Sequence, residues 1–344
     1  MSSARTLGRV SITDRNPQSS AAEMIASLVP PPQFATASFE SYRPDPDFPG
    51  QVAAVEILRE FAGSWAPAKG GGFFSRKKKA PATKPGVYLD GGFGVGKTHL
   101  LASLWHAAPG PRKYFGTFIE YTSLVGALGY QQTVQAMTGA TLICIDEFEL
   151  DDPGDTMVMT RLLGELVKTG TRIAATSNTP PNALGEGRFA ASDFLREIQA
   201  MSDNFDTLRI DGTDYRRRSV SGHAIITPEE EYEAALERGL DADAEFSDDN
   251  FDSLMAHLAT VHPSRYMALI GRIQRLGLRG VHELTSQTEA LRLVAFIDRV
   301  YDAQVPIVAT GVALDSVFGG DMLGGGYRKK YLRAVSRMIA LTNA

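Results

Sequence analysis

The chain predicts an α/β fold, a parallel sheet flanked by helices, with a smaller C-terminal α/β unit. Three observations predict it. Apolar runs of strand length alternate with amphipathic runs of helix length between Val87 and Thr176, and strands joined by helix-length crossovers pair in parallel. A glycine-rich turn, Gly91 to Thr98, stands between one such strand and the helix after it. A strand, helix, strand order then returns between Gly280 and Thr310, without a second glycine loop of that kind. Bulk composition agrees: 43% hydrophobic and 22% charged residues over 344 positions suffice for about two cores and exclude a disordered or collagen-like chain. Cys144 is the single cysteine, which excludes a disulfide framework and fits a reducing, cytoplasmic setting. Met1 to Gln18 lacks a signal-peptide core and no apolar run is long enough to span a bilayer, so membrane contact is expected to be at most peripheral.

The elements follow in order. Met1 to Ser20 has no periodicity and is expected to fray, within a flexible N-terminal segment 1–35. A helical pattern at Ala21 to Leu28 must stop before Pro30 to Pro32. Val52, Val55, Leu58 and Ala62 recur at helical spacing in a helix from Gln51 to Phe61. The Gly, Pro and Ala of 63–85, with the basic run Arg76 to Lys79, read as a mobile surface loop. Strands are expected at Val87 to Leu89, Tyr114 to Ile119, Thr141 to Ile145 and Arg172 to Thr176, and helices at Lys97 to Ala107 and Gly154 to Lys168, completing a core at 36–218. From Pro228 to Asp252, eleven acidic residues against the single Arg238 sum to −10. Such blocks are usually solvated, so 219–250 is expected to be an acidic linker. The unit 251–344 follows, with helices at Phe251 to Thr260, Ser264 to Leu276, Gln287 to Asp302 and Tyr327 to Leu341, and strands near Gly280 to Leu284 and Val305 to Thr310.

Gly91-Gly92-Phe93-Gly94-Val95-Gly96-Lys97-Thr98 satisfies the P-loop pattern. Successive backbone N–H groups must turn inward around a phosphate, which requires glycine conformations, and the following helix offers its positive end. Lys97 is placed to reach the β- and γ-phosphates and Thr98 to hold Mg²⁺. The run Leu142 to Ile145 then buries a strand and delivers Asp146 and Glu147 at its C-terminal end, Asp146 for Mg²⁺ and Glu147 as general base toward water. Asn178 ends a third strand and is a candidate contact to the attacking water or the γ-phosphate. Cys144 reads as core, and the six histidines have no metal-ligand spacing.

The flanks narrow the reading. Tyr42-Arg43-Pro44-Asp45-Pro46, Ile145-Asp146-Glu147-Phe148, Asp151-Asp152, Thr176-Ser177-Asn178 with Pro180-Pro181, Asp211 to Arg216, Leu291-Arg292, Asp298 to Asp302 and Ser336-Arg337 together resemble the ZapE family of AAA+ P-loop ATPases, also called AFG-one-like ATPases. The likeness covers most of the chain after about residue 28. It implies an ATPase using ATP and Mg²⁺, with FtsZ or another division-ring protein as partner, a homo-oligomer, and recruitment from the cytoplasm to the division site. Its trans-acting arginine has candidates in Arg188, Arg196 and Arg216, and a cis contact in Arg333 or Arg337. Tyr42 and Gln51 precede the loop where AAA+ proteins approach adenine.

The leading expectation is therefore Mg²⁺-dependent ATP hydrolysis that regulates or remodels a protein partner, without a nucleic-acid partner. Two rivals stay open. A helicase-loader-like ATPase would use the stretch Arg328-Lys329-Lys330-Tyr331 with Arg333 on single-stranded DNA. A scaffold would bind ATP as a switch without useful turnover.

Overall fold

The computed structural model describes residues 7–17, 20–65, 84–92, 94–150, 153–180, 184, 199, 202–213, 222–241 and 243–344, apart from the side chain of Lys329. Its chain divides into two compact units. A core unit comprises Ser20–Pro30 and Phe34–Tyr215, and a terminal unit comprises Met1–Ser19, Pro31–Gln33 and Arg216–Ala344.

The core unit is a five-stranded, wholly parallel sheet. Its strands are β2 (Gly86–Gly91), β3 (Lys113–Thr117), β4 (Leu142–Asp146), β5 (Arg172–Ser177) and β6 (Phe205–Ile210), in the order β3-β4-β5-β2-β6. Side chains alternate across a strand, and here both faces are buried. Val87, Leu89, Leu142, Cys144 and Ala174 face one cluster, with α2 (Pro49–Gly63) and α3 (Lys97–Ala107) supplying Leu58, Leu100, Leu101 and Leu104. Tyr88, Ile143, Ile145, Ile173 and Ala175 face the other. There α4 (Phe118–Leu128), α5 (Tyr130–Met137) and α6 (Pro153–Lys168) cover them. Thr117 ends β3 earlier than the apolar run suggests, because its hydroxyl and Glu120 form a reciprocal cap that starts α4. Strand β6 was not expected. A further short helix, α1 (Ala21–Ala26), begins at the Ser20/Glu23 capping box.

The terminal unit is a second parallel sheet, as its strand, helix, strand repeat predicts, with order β1-β7-β8-β9. The strands are β1 (Gly8–Val10), β7 (Glu245–Asn250), β8 (Ile273–Val281) and β9 (Ile307–Gly311). On one face pack α8 (Phe251–Leu258), α10 (Gln287–Asp302) and α11 (Arg328–Thr342), which bury Phe251, Leu254, Leu293, Phe296, Ile297, Ala334 and Met338. On the other, α7 (Glu229–Glu237) packs Tyr232 and Leu236 on Phe246.

The structure departs from the sequence-based expectation in three places. The acidic stretch is not a linker over 245–250, which is an interior strand of this sheet with Phe246, Ser247 and Asp249 buried. The charges that neutralise it come from far away in sequence: Arg9 and Arg279 pair with Asp248, and Arg15 and Arg272 pair with Glu245. The N-terminal segment is anchored at residues 8–15. There β1 pairs with β7, Ile12 is fully buried, and Arg15 donates to the carbonyls of Leu269 and Gly271. The helix expected over Ser264 to Leu276 is a 3-10 turn at Pro263–Arg265, a single helical turn α9 (Tyr266–Leu269), and then β8. Arg272 adopts a left-handed φ of 69°, which breaks the helix, and Ile273 and Leu276 gain pairing partners in β7.

Candidate nucleotide site

All five core strands run the same way, so the C-terminal ends of β4, β5 and β2 lie side by side on one edge. That edge is where parallel sheets hold ligands. The glycine loop leaves β2 there and enters α3 through Gly94 and Gly96, with φ of 65° and 84°. Gly96 is the N-cap of α3 and carries no side-chain cap, which leaves the first backbone N–H groups of the helix directed at an incoming anion. A side chain at Gly96 is excluded twice, by its positive φ and because a Cβ there would lie 2.5 Å from Cε2 of Tyr42.

Lys97 is buried, and its Nζ donates to the carbonyls of Gly91 (3.0 Å) and Gly92 (2.6 Å) and to Oδ1 of Asn178 (2.9 Å). Across from it, Thr98 Oγ1 lies 3.2 and 3.1 Å from the two carboxylate oxygens of Asp146. Thr176 donates its hydroxyl hydrogen to Asp146 and accepts from the Glu147 N–H at 3.1 Å. Glu147 itself has a left-handed φ of 53°, unusual for a residue with a side chain. Burial pushes the Asp146 carboxyl above the ordinary carboxylate range and the Glu147 charge adds to it, while the Thr176 and Thr98 hydroxyls and Lys97 pull it back.

The residues present fit a nucleotide with a hard divalent cation. Glycines line the cradle, and a hydroxyl and a carboxylate meet as oxygen ligands. Among the described residues no cluster of three or more His, Cys, Asp or Glu forms a self-contained metal cage. Mg²⁺ characteristically takes one or two protein oxygens together with substrate phosphates, which is what Thr98 and Asp146 offer.

The sequence-predicted residues Gly91, Gly92, Gly94, Val95, Gly96, Lys97, Thr98, Asp146, Glu147 and Asn178 are thus brought to one place. Tyr42 and Gln51 brace it. Tyr42 donates to the Val95 carbonyl at 2.8 Å, its phenol pushed up to about 12 by burial, and Gln51 bridges the Asp45 N–H and the Asp211 carbonyl. Phe93, the basic run Arg76 to Lys79, and Arg188, Arg196 and Arg216 lie outside the described residues. Arg333 and Arg337 are buried and both pair with Asp298 inside the terminal unit, so each guanidinium already serves that carboxylate rather than a phosphate. The basic stretch suggested for DNA is likewise divided: Arg328 is exposed, but Tyr331 and Arg333 are buried. Thr176 went unnoticed as a site residue. Its signal was positional, two residues before Asn178 on the strand beside Asp146.

A parallel sheet that carries a glycine loop with its lysine at the end of β2 and an acidic pair at the end of β4, with β5 between them, defines a P-loop nucleoside triphosphatase. Comparison with known families agrees: the AFG1-like ATPase model matches residues 18–245 and 224–344, and the chain belongs to that family. It is 28% identical over 361 residues to the cell division protein ZapE of Escherichia coli K12, covering 91% of this chain and 95% of that protein. It is 25% identical over 162 residues to lactation elevated protein 1 homolog B of Danio rerio, covering 41% and 32% respectively. Among solved structures, domain III of the Thermotoga maritima replication initiation protein DnaA aligns with a TM-score of 0.39 and 19% identity, covering 52% of this chain and 67% of that one. No helix among the described residues is long and apolar enough to cross a membrane.

Proposed function

We propose that this ATPase hydrolyses ATP to ADP and phosphate with Mg²⁺ held by Thr98 and Asp146, and uses the cycle to regulate or remodel a protein of the division ring, FtsZ being the partner the family resemblance implies. Lys97 and the N–H groups of Gly94, Val95 and Gly96 bind the phosphates. Glu147 accepts a proton from the attacking water, and Asn178 orients that water or the γ-phosphate oxygen. Bound Mg²⁺ supplies charge neutralisation to the phosphate oxygens. The observation that carries the reading is that the consecutive residues Lys97 and Thr98, at the start of the helix after β2, are hydrogen-bonded to Asn178 after β5 and to Asp146 at the end of β4 respectively. Support for the partner comes from the E. coli relative, whose name assigns it to cell division. The family resemblance implies an arginine arriving in trans from a second copy.

The test is steady-state ATP hydrolysis by the wild type and Glu147→Gln across protein concentration, with and without FtsZ. Wild-type turnover is expected to rise with concentration and with FtsZ. The variant should bind ATP and lose turnover by about 100-fold or more, the range for removing a general base starting at that value. Equal ATP binding by both proteins with no hydrolysis under any condition would leave the nucleotide a switch and overturn the mechanism.

A further inference from the structure

One buried hydroxyl joins two groups that the chemistry needs set relative to each other. Thr176 is 2% exposed, on the interior strand β5. Its hydroxyl has one hydrogen and two lone pairs, and the hydrogen goes to Oδ1 of Asp146 while a lone pair accepts the backbone N–H of Glu147. The carbonyl of the same residue accepts the N–H of Phe148 at 2.7 Å. Residues 146, 147 and 148 are therefore all tied to Thr176, and the middle one is the residue held at φ 53°. A left-handed conformation at a glutamate is strained and persists only where neighbouring bonds over-determine it. Those bonds are the two backbone N–H groups of 147 and 148 reaching across to β5.

We propose that Thr176 is a positioning residue that fixes Asp146 and Glu147 as one unit. Donation to Oδ1 turns the Asp146 carboxylate toward Thr98, and acceptance from the Glu147 N–H holds the backbone twist that aims the Glu147 side chain. The inference rests on the roles given above to Asp146 and Glu147. It separates Thr176 from a strand residue that merely fills space: Val at this position keeps the shape and loses both bonds, whereas Ser keeps both bonds and loses a methyl.

The test uses the full chain with Thr176→Val, Thr176→Ser and the wild type, each carrying three readouts. The first is ATP affinity in EDTA. The second is affinity for the non-hydrolysable analogue AMPPCP as Mg²⁺ is raised. The third is kcat at saturating Mg²⁺ and ATP. Affinity in EDTA should be the same in all three proteins, because the phosphate loop is untouched. In Thr176→Val the Mg²⁺-dependent gain in AMPPCP affinity and kcat should each fall by about 10- to 100-fold, the effect of losing an outer-shell partner of a metal ligand. Thr176→Ser should restore both. The proposal is overturned if Val matches the wild type in both, or if Ser fails as badly as Val, which would make the methyl's packing the cause. Should Val not fold, Thr176→Ala against Thr176→Ser makes the same comparison. A wild type that binds AMPPCP but never hydrolyses ATP would sink the proposed function instead, and the Mg²⁺ dependence of binding would still read Thr176.

Discussion

Two buried aspartates, one in each unit, meet opposite treatment. Asp298 in α10 is 4% exposed and is answered by two arginines of α11, Arg333 and Arg337. Asp146 at the end of β4 is 8% exposed and is answered by two hydroxyls, Thr98 and Thr176. The strand-to-helix junctions differ in the same sense. Asn250 caps α8 by accepting from Ser253 N–H, and Ser286 caps α10 by accepting from Glu289 N–H, whereas α3 starts at Gly96 without a side-chain cap. Both units are parallel α/β sheets, so architecture alone does not make a site. The terminal unit answers Asp298 with its own arginines and caps α8 and α10 with its own side chains; the core unit, at the end of β4 and the start of α3, leaves a carboxylate and a helix start for a ligand to satisfy.

The largest effect should come from reversing the charge treatment. Asp298→Ala strands two buried guanidinium groups and is expected to destabilise the terminal unit by about 3–5 kcal/mol. Asp146→Asn removes a charge that burial already disfavours and should leave stability equal or higher, at the expense of activity. Urea unfolding of both variants by near-UV circular dichroism checks this, and an equal loss in the two would break the comparison. Next comes the helix start. Gly96→Ala forces a left-handed Ala whose Cβ meets Tyr42, a strain of about 1–3 kcal/mol that should weaken ATP binding by roughly 10- to 100-fold. Asn250→Ala should instead cost about 1 kcal/mol of stability and leave ATP affinity alone. Calorimetric ATP titration of the pair separates a helix start reserved for ligand from one that is merely capped.

The smallest effect concerns His282, whose Nε2 lies 2.6 Å from Asp252 Oδ1. That hydrogen bond, then the Glu283 carbonyl, raises the imidazole above its ordinary value. A histidine raised in the folded state contributes stability that is complete below its unfolded pKa of about 6.5 and is lost as pH rises through the higher folded value. Both side chains are half-exposed or more, so solvent screening limits the term to about 0.5 kcal/mol or less. Melting temperatures of wild type and His282→Gln should therefore converge as pH rises past neutrality, and a difference that grows instead would contradict the assignment.

Much of the site was legible because it is local. Gly91 to Thr98 encodes a turn and a helix start within eight consecutive residues, and Asp146-Glu147 declares itself by following four apolar ones. What escaped depends on register between distant segments. Thr176 reaches Asp146 only because β4 and β5 are neighbours, and Tyr42 reaches Val95 only once the lead-in segment lies against the loop. The acidic stretch was misread for the same reason: Arg9 pairs with Asp248 across 239 positions of sequence, and a window of local charge cannot contain its partner. The helix expected over Ser264 to Leu276 failed differently. Leu269, Ile270, Ile273 and Leu276 suit a helical face as well as a buried strand, and the turn at Gly271 and Arg272 decides between them.

Strand β1 has a practical consequence for anyone dividing the protein. The chain lays down Gly8–Val10 beside β7 before it builds the nucleotide-binding sheet and, apart from Pro31–Gln33, returns to the terminal unit only after Tyr215. A fragment beginning at Arg216 would carry helices α7 to α11 and three strands, but β7 would become an open border with its N–H and C=O groups facing solvent. Ile12 and the Ser11 and Thr13 contacts to Asp249 would leave with the missing piece. Unprotected borders of parallel sheets recruit other chains, so the excised C-terminal fragment should self-associate, and supplying residues 7–17 as a free peptide should suppress it by completing the sheet in trans.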